Sequence, residues 1–398
     1  MGSFVSVRRA AAGLSAFALV TAVAMPLGAQ GPVASMGDAA GKKAEIERIV
    51  SDFATAKRPV GMMVGVIAGK ERQVVSVGEI SRFTQETPDG RTVFEIGSVT
   101  QTFTALLLAR MVERGVMALD DPLQKWVPSG VTVPTYQGQQ ITLVQLATHT
   151  SGLPREPDFR RFRRHETRHL TVDKMFALLG QTELPGAPGT KFLYSNFGYA
   201  LLAQAVTRAS GAADWAELVQ REIGAPLGLR ATRVVKGGVD QSRLAQGYGP
   251  GLNSVRYGLL TRPAFNGALG LRSTLDDMMQ WTAFHIGMVP SPLASLLPMV
   301  ETPRVSIGVG PGDEIALAWQ SHPLRAGSRH RLLARNGATL GFYSFVAFVK
   351  ETQTGVVVLS NTRIPNEEVG LRIIRLLNPE PGLPVADEGA PVAQPSQD

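Results

Sequence analysis

Ser98 stands in Phe94-Glu95-Ile96-Gly97-Ser98-Val99-Thr100-Gln101, directly ahead of a long apolar run. If that run is a helix opened by Ser98, then Ser98 and Gln101 are i and i+3 on one face and their side chains can touch. A hydroxyl in such a place becomes a nucleophile when a neighbour takes its proton. The Gln101 amide has donors and an acceptor but no titratable site near neutral pH. Two other clusters put polar groups at turns. Tyr194-Ser195-Asn196 follows a Pro-Gly turn and precedes an apolar helical stretch at residues 198–209. Arg335-Asn336-Gly337-Ala338 lies in a strand-like segment that continues through Thr339, Leu340, Gly341 and Phe342. Arg335 cannot act as a base, because a guanidinium does not deprotonate. It can hold a carboxylate through two parallel hydrogen bonds.

The elements that must position these groups follow from periodicity. Residues 44–57 place Ile46, Ile49, Val50 and Phe53 on one helical stripe. Residues 61–67 and 73–77 are β-rich runs separated by residues 69–72, which predicts a hairpin. Residues 102–117 form a helix apolar on nearly all sides, hence buried. From there to about Trp281 the chain is expected to be mostly helical with long loops. Residues 315–319, 331–334, 342–349 and 355–359 are again strand-like, and residues 367–377 form a closing helix. Strands therefore lie at both ends, with helices inserted between them. This predicts an α/β fold whose antiparallel sheet is built from both chain ends, with a helical lobe at about residues 105–285.

At this point the motifs resemble the serine β-lactamase and penicillin-binding-protein superfamily, and most closely its class C β-lactamase, D,D-peptidase and esterase branch. The Ser98 segment, Tyr194-Ser195-Asn196 and Arg335-Asn336-Gly337 fall in that family's order and spacing. Supporting strings are Leu119-Asp120-Asp121-Pro122, residues 141–154 with Thr148-His149-Thr150-Ser151-Gly152-Leu153-Pro154, and residues 270–278. The resemblance spans roughly residues 45–377. It implies that Ser98 attacks an amide, lactam or ester carbonyl to form an acyl-enzyme, and that Tyr194 shuttles the proton. It further implies that Asn196, Arg335 and Gly337 bind substrate, and that the backbone N–H groups of Ser98 and Ala338 form an oxyanion hole. Such a hole contributes about 3 kcal/mol per donor.

Three positions depart from the family pattern. Gln101 replaces the lysine of S-x-x-K, Arg335 replaces a lysine or histidine, and Leu340 stands where glycine is common. On this reading a lysine at 101 should restore a proton acceptor and raise the rate. Without it, Tyr194 is the remaining acceptor. An unperturbed phenol titrates at about 10, and a cation beside it favours the phenolate. His149 is expected to make a structural hydrogen bond, and Glu95 is given no role. Two readings stay open: an exported serine acyl hydrolase, acting on a β-lactam, a D-amino-acid peptide or a small ester, or a silent relative that binds cell-wall peptide or a protein. A family enzyme in which the glutamine was introduced is a third.

Composition bounds the rest. Arg8-Arg9, the small-apolar run at residues 10–25 and Leu27-Gly28-Ala29 predict a signal peptide at residues 1–29, and hence a periplasmic or secreted bacterial enzyme. The run is shorter than the ~20 apolar residues of a membrane span, so stable insertion of the mature chain is not expected. The hydrolase domain is placed at residues 30–380. The Pro- and Ala-rich stretch from Asn378 onward is expected to be disordered, most clearly at residues 381–398. Cysteine is absent (Cys 0), which excludes disulfides, a thiol nucleophile and a thiolate metal site. The six histidines show no ligand pairing, so neither a metal nor any other cofactor is expected. The formal charge is +7, with Arg160, Arg161, Arg163, Arg164 and Arg168 crowded at residues 155–169. That loop reads as a solvated, partly self-paired surface, or as a contact for an acidic envelope polymer or a substrate carboxylate. Little aromatic interleaving accompanies it, so nucleic acid is not an expected partner.

Overall fold

The computed structural model describes residues 42–159, 170–234, 243–255, 263–381 and 383. The expected signal peptide, the arginine cluster at residues 160–168 and most of the expected disordered tail lie outside the described residues. Strands β1 (Gly61–Ala68) and β2 (Glu71–Gly78) form the expected hairpin. Its turn is shorter than the sequence suggests: Gly69 takes a φ of +54°, and pairing continues to Ala68–Glu71. A short strand, β3 (Val93–Glu95), precedes the Ser98 turn. Strands β4 (Arg233–Val234) and β5 (Leu271–Thr274) pair with it in the order β3-β5-β4. Strands β6 (Val305–Ser306), β7 (Glu314–Ile315), β8 (Gln320–Pro323), β9 (Arg331–Ala338), β10 (Tyr343–Val349) and β11 (Thr354–Ser360) complete the main sheet. Among the described residues this sheet has eight strands in the order β2-β1-β11-β10-β9-β8-β7-β6, every pair antiparallel. The two chain ends thus meet at β1 and β11, as predicted.

Helices cover both faces of the sheet. We label α1 (Lys43–Lys57), α2 (Thr100–Glu113), α3 (Leu143–Ala147), α4 (Val172–Leu179), α5 (Asn196–Ser210), α6 (Leu275–His285) and α7 (Glu367–Leu377). Alternation along β1 explains the layering. Met62, Val64 and Val66 join the cluster with Ile46, Ile49, Val50 and Phe53 of α1 and Ile373 and Ile374 of α7. Met63 and Ile67 point the other way, into the cluster that includes Phe103 of α2 and Met279 of α6. Gly65 lets α6 approach: a Cβ there would lie 2.6 Å from Met279 Sδ.

Two expectations needed correction. Residues 315–319 do not form one strand, because β7 ends at Ile315 and residues 316–319 make a buried turn. In that turn Ala316 N–H donates to Trp319 O at 2.8 Å, and Ala318 takes a φ of +68°. A short apolar run reads the same whether it is a strand or a buried turn. The mostly helical middle of the chain also contributes the short strands β4 and β5. Finally, residues 378–380 are anchored: Asn378 Nδ2 donates to Thr354 Oγ1 at 2.9 Å, and Ser328 Oγ donates to Glu380 Oε1 at 2.9 Å. Among the described residues no helix is long and apolar enough to cross a membrane.

Candidate active site

Ser98 sits in a 3-10 turn, Gly97–Val99, that leads straight into α2. Gly97 has a φ of +50°, a conformation that favours glycine. Strand β9 presses against this turn. A Cβ on Gly97 would fall 2.8 Å from Ala338 N, and one on Gly337 would fall 2.1 Å from Ile96 O and 2.9 Å from Ser98 N. Ser344 of β10 adds a hydrogen bond to Ile96 O at 2.9 Å. Two glycines therefore let the Ser98 and Ala338 backbones meet. Gly337 packs on the nucleophile turn, where the space a side chain would fill already holds backbone.

Tyr194 reaches Ser98 directly, its hydroxyl donating to Ser98 Oγ at 2.6 Å. The same phenol oxygen accepts from Gln101 Nε2 at 2.8 Å and from Arg335 Nη2 at 3.3 Å. Gln101 is fully buried. Its Nε2 also donates to Asn196 Oδ1 at 3.1 Å, while its Oε1 accepts from His149 Nε2 at 3.1 Å and from Arg335 Nη2. All four hydrogen bonds of the carboxamide are made. Arg335 can only donate, so it fixes which end of the amide faces it.

His149 is neutral and committed. Its Nδ1 accepts from Ser195 N–H at 3.1 Å, which leaves the hydrogen on Nε2, pointed at Gln101. Burial, and then the charges of Arg335 and Arg155, hold its pKa well below the usual histidine value. With no free lone pair it cannot accept the Ser98 proton, in keeping with the structural role expected of it.

Arg335 is 1% exposed. Besides its bonds to Gln101 and Tyr194, its Nε donates to Ser98 O at 3.4 Å. Both two-point edges of a guanidinium include Nη2, so clamping a ligand carboxylate would break bonds already made. The Arg335 guanidinium faces Gln101, Tyr194 and Ser98 O. Asn196 is similarly engaged, because its Nδ2 donates to Glu156 Oε1 at 2.8 Å. Glu156 and Arg155 belong to the charged loop at residues 155–169, which the sequence marked without tying it to Tyr194 or Asn196; the Arg155 guanidinium lies 4.9 Å from the Tyr194 ring centre. Glu95 pairs with Arg272 at 3.0 Å, a structural link between β3 and β5. Leu340 is 40% exposed beyond the end of β9.

A serine turn, a tyrosine hydroxyl on it and a glycine-bearing strand alongside are thus supplied by three distant segments on the expected fold. The Beta-lactamase family model matches residues 46–378. The chain belongs to the beta-lactamase family. Among curated members, the D-alanyl-D-alanine-carboxypeptidase/endopeptidase AmpH of Escherichia coli K12 is 30% identical over 80% of this chain and 84% of its own. A beta-lactamase of the same organism is 27% identical over 81% and 89%. A solved beta-lactamase/D-alanine carboxypeptidase from Yersinia pestis, in complex with citrate, superposes with a TM-score of 0.72 at 28% identity, over 84% of this chain and 98% of that one. The beta-lactamase family membership makes this chain a relative of serine hydrolases and penicillin-binding proteins. It does not by itself assign the residues of the site.

Proposed function

We propose that this protein is an exported serine acyl hydrolase that works through a Ser98 acyl-enzyme, on a β-lactam, a D-amino-acid peptide or a small ester. The observation that carries this reading is the 2.6 Å bond between Tyr194 Oη and Ser98 Oγ, with Gln101 and Arg335 both donating to the same phenol oxygen. Apart from Ser98 Oγ, whose proton is the one to be taken, the groups bonded to that oxygen among the described residues are donors, and these favour a phenolate there. In the reaction, the phenolate takes the Ser98 proton as Oγ bonds to the carbonyl carbon. The carbonyl oxygen gains negative charge between the N–H groups of Ser98 and Ala338. As the tetrahedral carbon collapses, the bond to the leaving group breaks and Tyr194 returns the proton to that group. Water then repeats the sequence and frees the acid. Relatives named as carboxypeptidases and beta-lactamases support the substrate classes, and the leader at residues 1–29 supports export to the periplasm or beyond.

The test is covalent labelling of the mature protein with a fluorescent penicillin and with a neutral fluorophosphonate, followed by intact mass and peptide mapping. An adduct on Ser98 is the expected result. Ligand binding without added mass would replace this reading with that of a silent binder, the alternative raised by the missing lysine.

A further inference from the structure

The carboxamide of Gln101 lies at the crossing point of the site, buried and with every hydrogen-bonding position used. Two of its partners, the His149 Nε2–H and Arg335 Nη2, are donors that share Oε1. Arg335 can supply only N–H groups, and His149 has its single lone pair on the Ser195 amide. Residue 101 must therefore present an acceptor to that side. A lysine there has three donors and no acceptor. It would bring an ammonium against the guanidinium and leave the His149 N–H facing a cation. The same Nη2 that bonds Gln101 also bonds Tyr194, so moving it away from residue 101 moves it away from the phenol.

We infer that Gln101 and Arg335 are a matched pair: Arg335 delivers the positive charge beside Tyr194 from strand β9, and Gln101 is the neutral acceptor that holds it there. The inference rests on the proposed role of Tyr194. It makes Arg335 a positioning residue for the proton acceptor and reverses the simple expectation that a lysine at 101 raises the rate. Lysine helps only once the arginine has been neutralised.

The experiment measures acylation by a neutral fluorophosphonate across pH 6 to about 10, using the full mature chain. The set is the parent, Arg335→Gln, Gln101→Lys and the double variant. Arg335→Gln should be slower at neutral pH by ~10-fold or more, with the rise in rate displaced to higher pH. A role confined to packing would lower the rate without displacing the profile. Gln101→Lys should also be at least ~10-fold slower, and the double variant should be faster than either single one. A Gln101→Lys variant faster than the parent, with Arg335→Gln unchanged in profile, overturns the inference. If the parent shows no labelling at any pH, the acyl-hydrolase reading fails on its own. The pairing is then decided by thermal unfolding of the same set. A double variant more stable than Gln101→Lys supports it, and equal stability overturns it.

Discussion

His149 brackets Tyr194. Its carbonyl accepts from Leu193 N–H at 2.7 Å and its Nδ1 accepts from Ser195 N–H at 3.1 Å, so both peptide neighbours of the tyrosine hang from one residue. Its ring lies 4.4 Å from the Tyr194 ring, centre to centre. To do this His149 adopts a φ of +56°, a left-handed conformation that costs about 1–2 kcal/mol for a side-chain-bearing residue. The hydrogen bonds on both sides of Tyr194 offset that cost and leave the hydroxyl aimed at Ser98.

Tyr194→Phe removes only the hydroxyl. Acylation by fluorophosphonate is expected to fall by ~10²-fold or more, with circular dichroism and melting temperature close to the parent's. His149→Gln should cost less activity and more stability, about 1–3 kcal/mol for the buried groups left unpaired. If the histidine variant loses the rate and the tyrosine variant keeps it, the proton acceptor has been misassigned.

Arg335→Ala should slow a neutral ester and a carboxylate-bearing penicillin by similar factors. The donors removed face Gln101, Tyr194 and Ser98 O rather than the ligand. Parallel kcat/KM measurements on the two substrate classes check this. Selective loss of the carboxylate-bearing class would restore the fork to ligand recognition.

Gly337→Ala tests the close approach of β9 to the nucleophile turn. Its Cβ would meet Ile96 O at 2.1 Å and Ser98 N at 2.9 Å, contacts that must be relieved by backbone movement. We expect about 1–3 kcal/mol of lost stability and a rate loss of ~10²-fold from misplaced oxyanion donors. Urea unfolding and labelling kinetics together separate the two effects. A parental rate would show that the Ser98 and Ala338 amides need no such closeness.

Stability should fall as pH drops below about 6.5. His149 and His285 are fully buried, and burial is the main reason that both pKa values are lowered. For His285, the carboxylate of Glu301 at 2.9 Å offsets this only in part. The unfolded chain then binds protons that the folded chain refuses, so acid favours unfolding. The loss begins at the unfolded value and continues until the folded value is passed, by up to ~1.4 kcal/mol per histidine per pH unit. Unfolding midpoints at pH 7.5 and 5.5 measure it. His285→Gln should flatten the slope, and an unchanged slope would assign the acid sensitivity elsewhere.

The sequence alone determined what depends on neighbours along the chain. The β-rich runs at residues 61–67 and 355–359 marked strands, the stripe of Ile46, Ile49, Val50 and Phe53 marked α1, and the apolar run after Ser98 marked a buried helix. Residue chemistry alone established that position 101 carries no base. Direction, by contrast, comes from the packing of distant segments. Arg335 is capable of a carboxylate grip in any sequence, yet it points inward because Gln101, 234 residues away along the chain, presents an acceptor to it. Gly337 must be glycine because Ile96 O lies against it. Residues 93–95, 233–234 and 271–274 form a sheet that none of them signals, since a two- to four-residue strand has too few side chains to show a period. Hydrogen bonds between distant segments depend on where the fold brings their ends, and no local pattern encodes that.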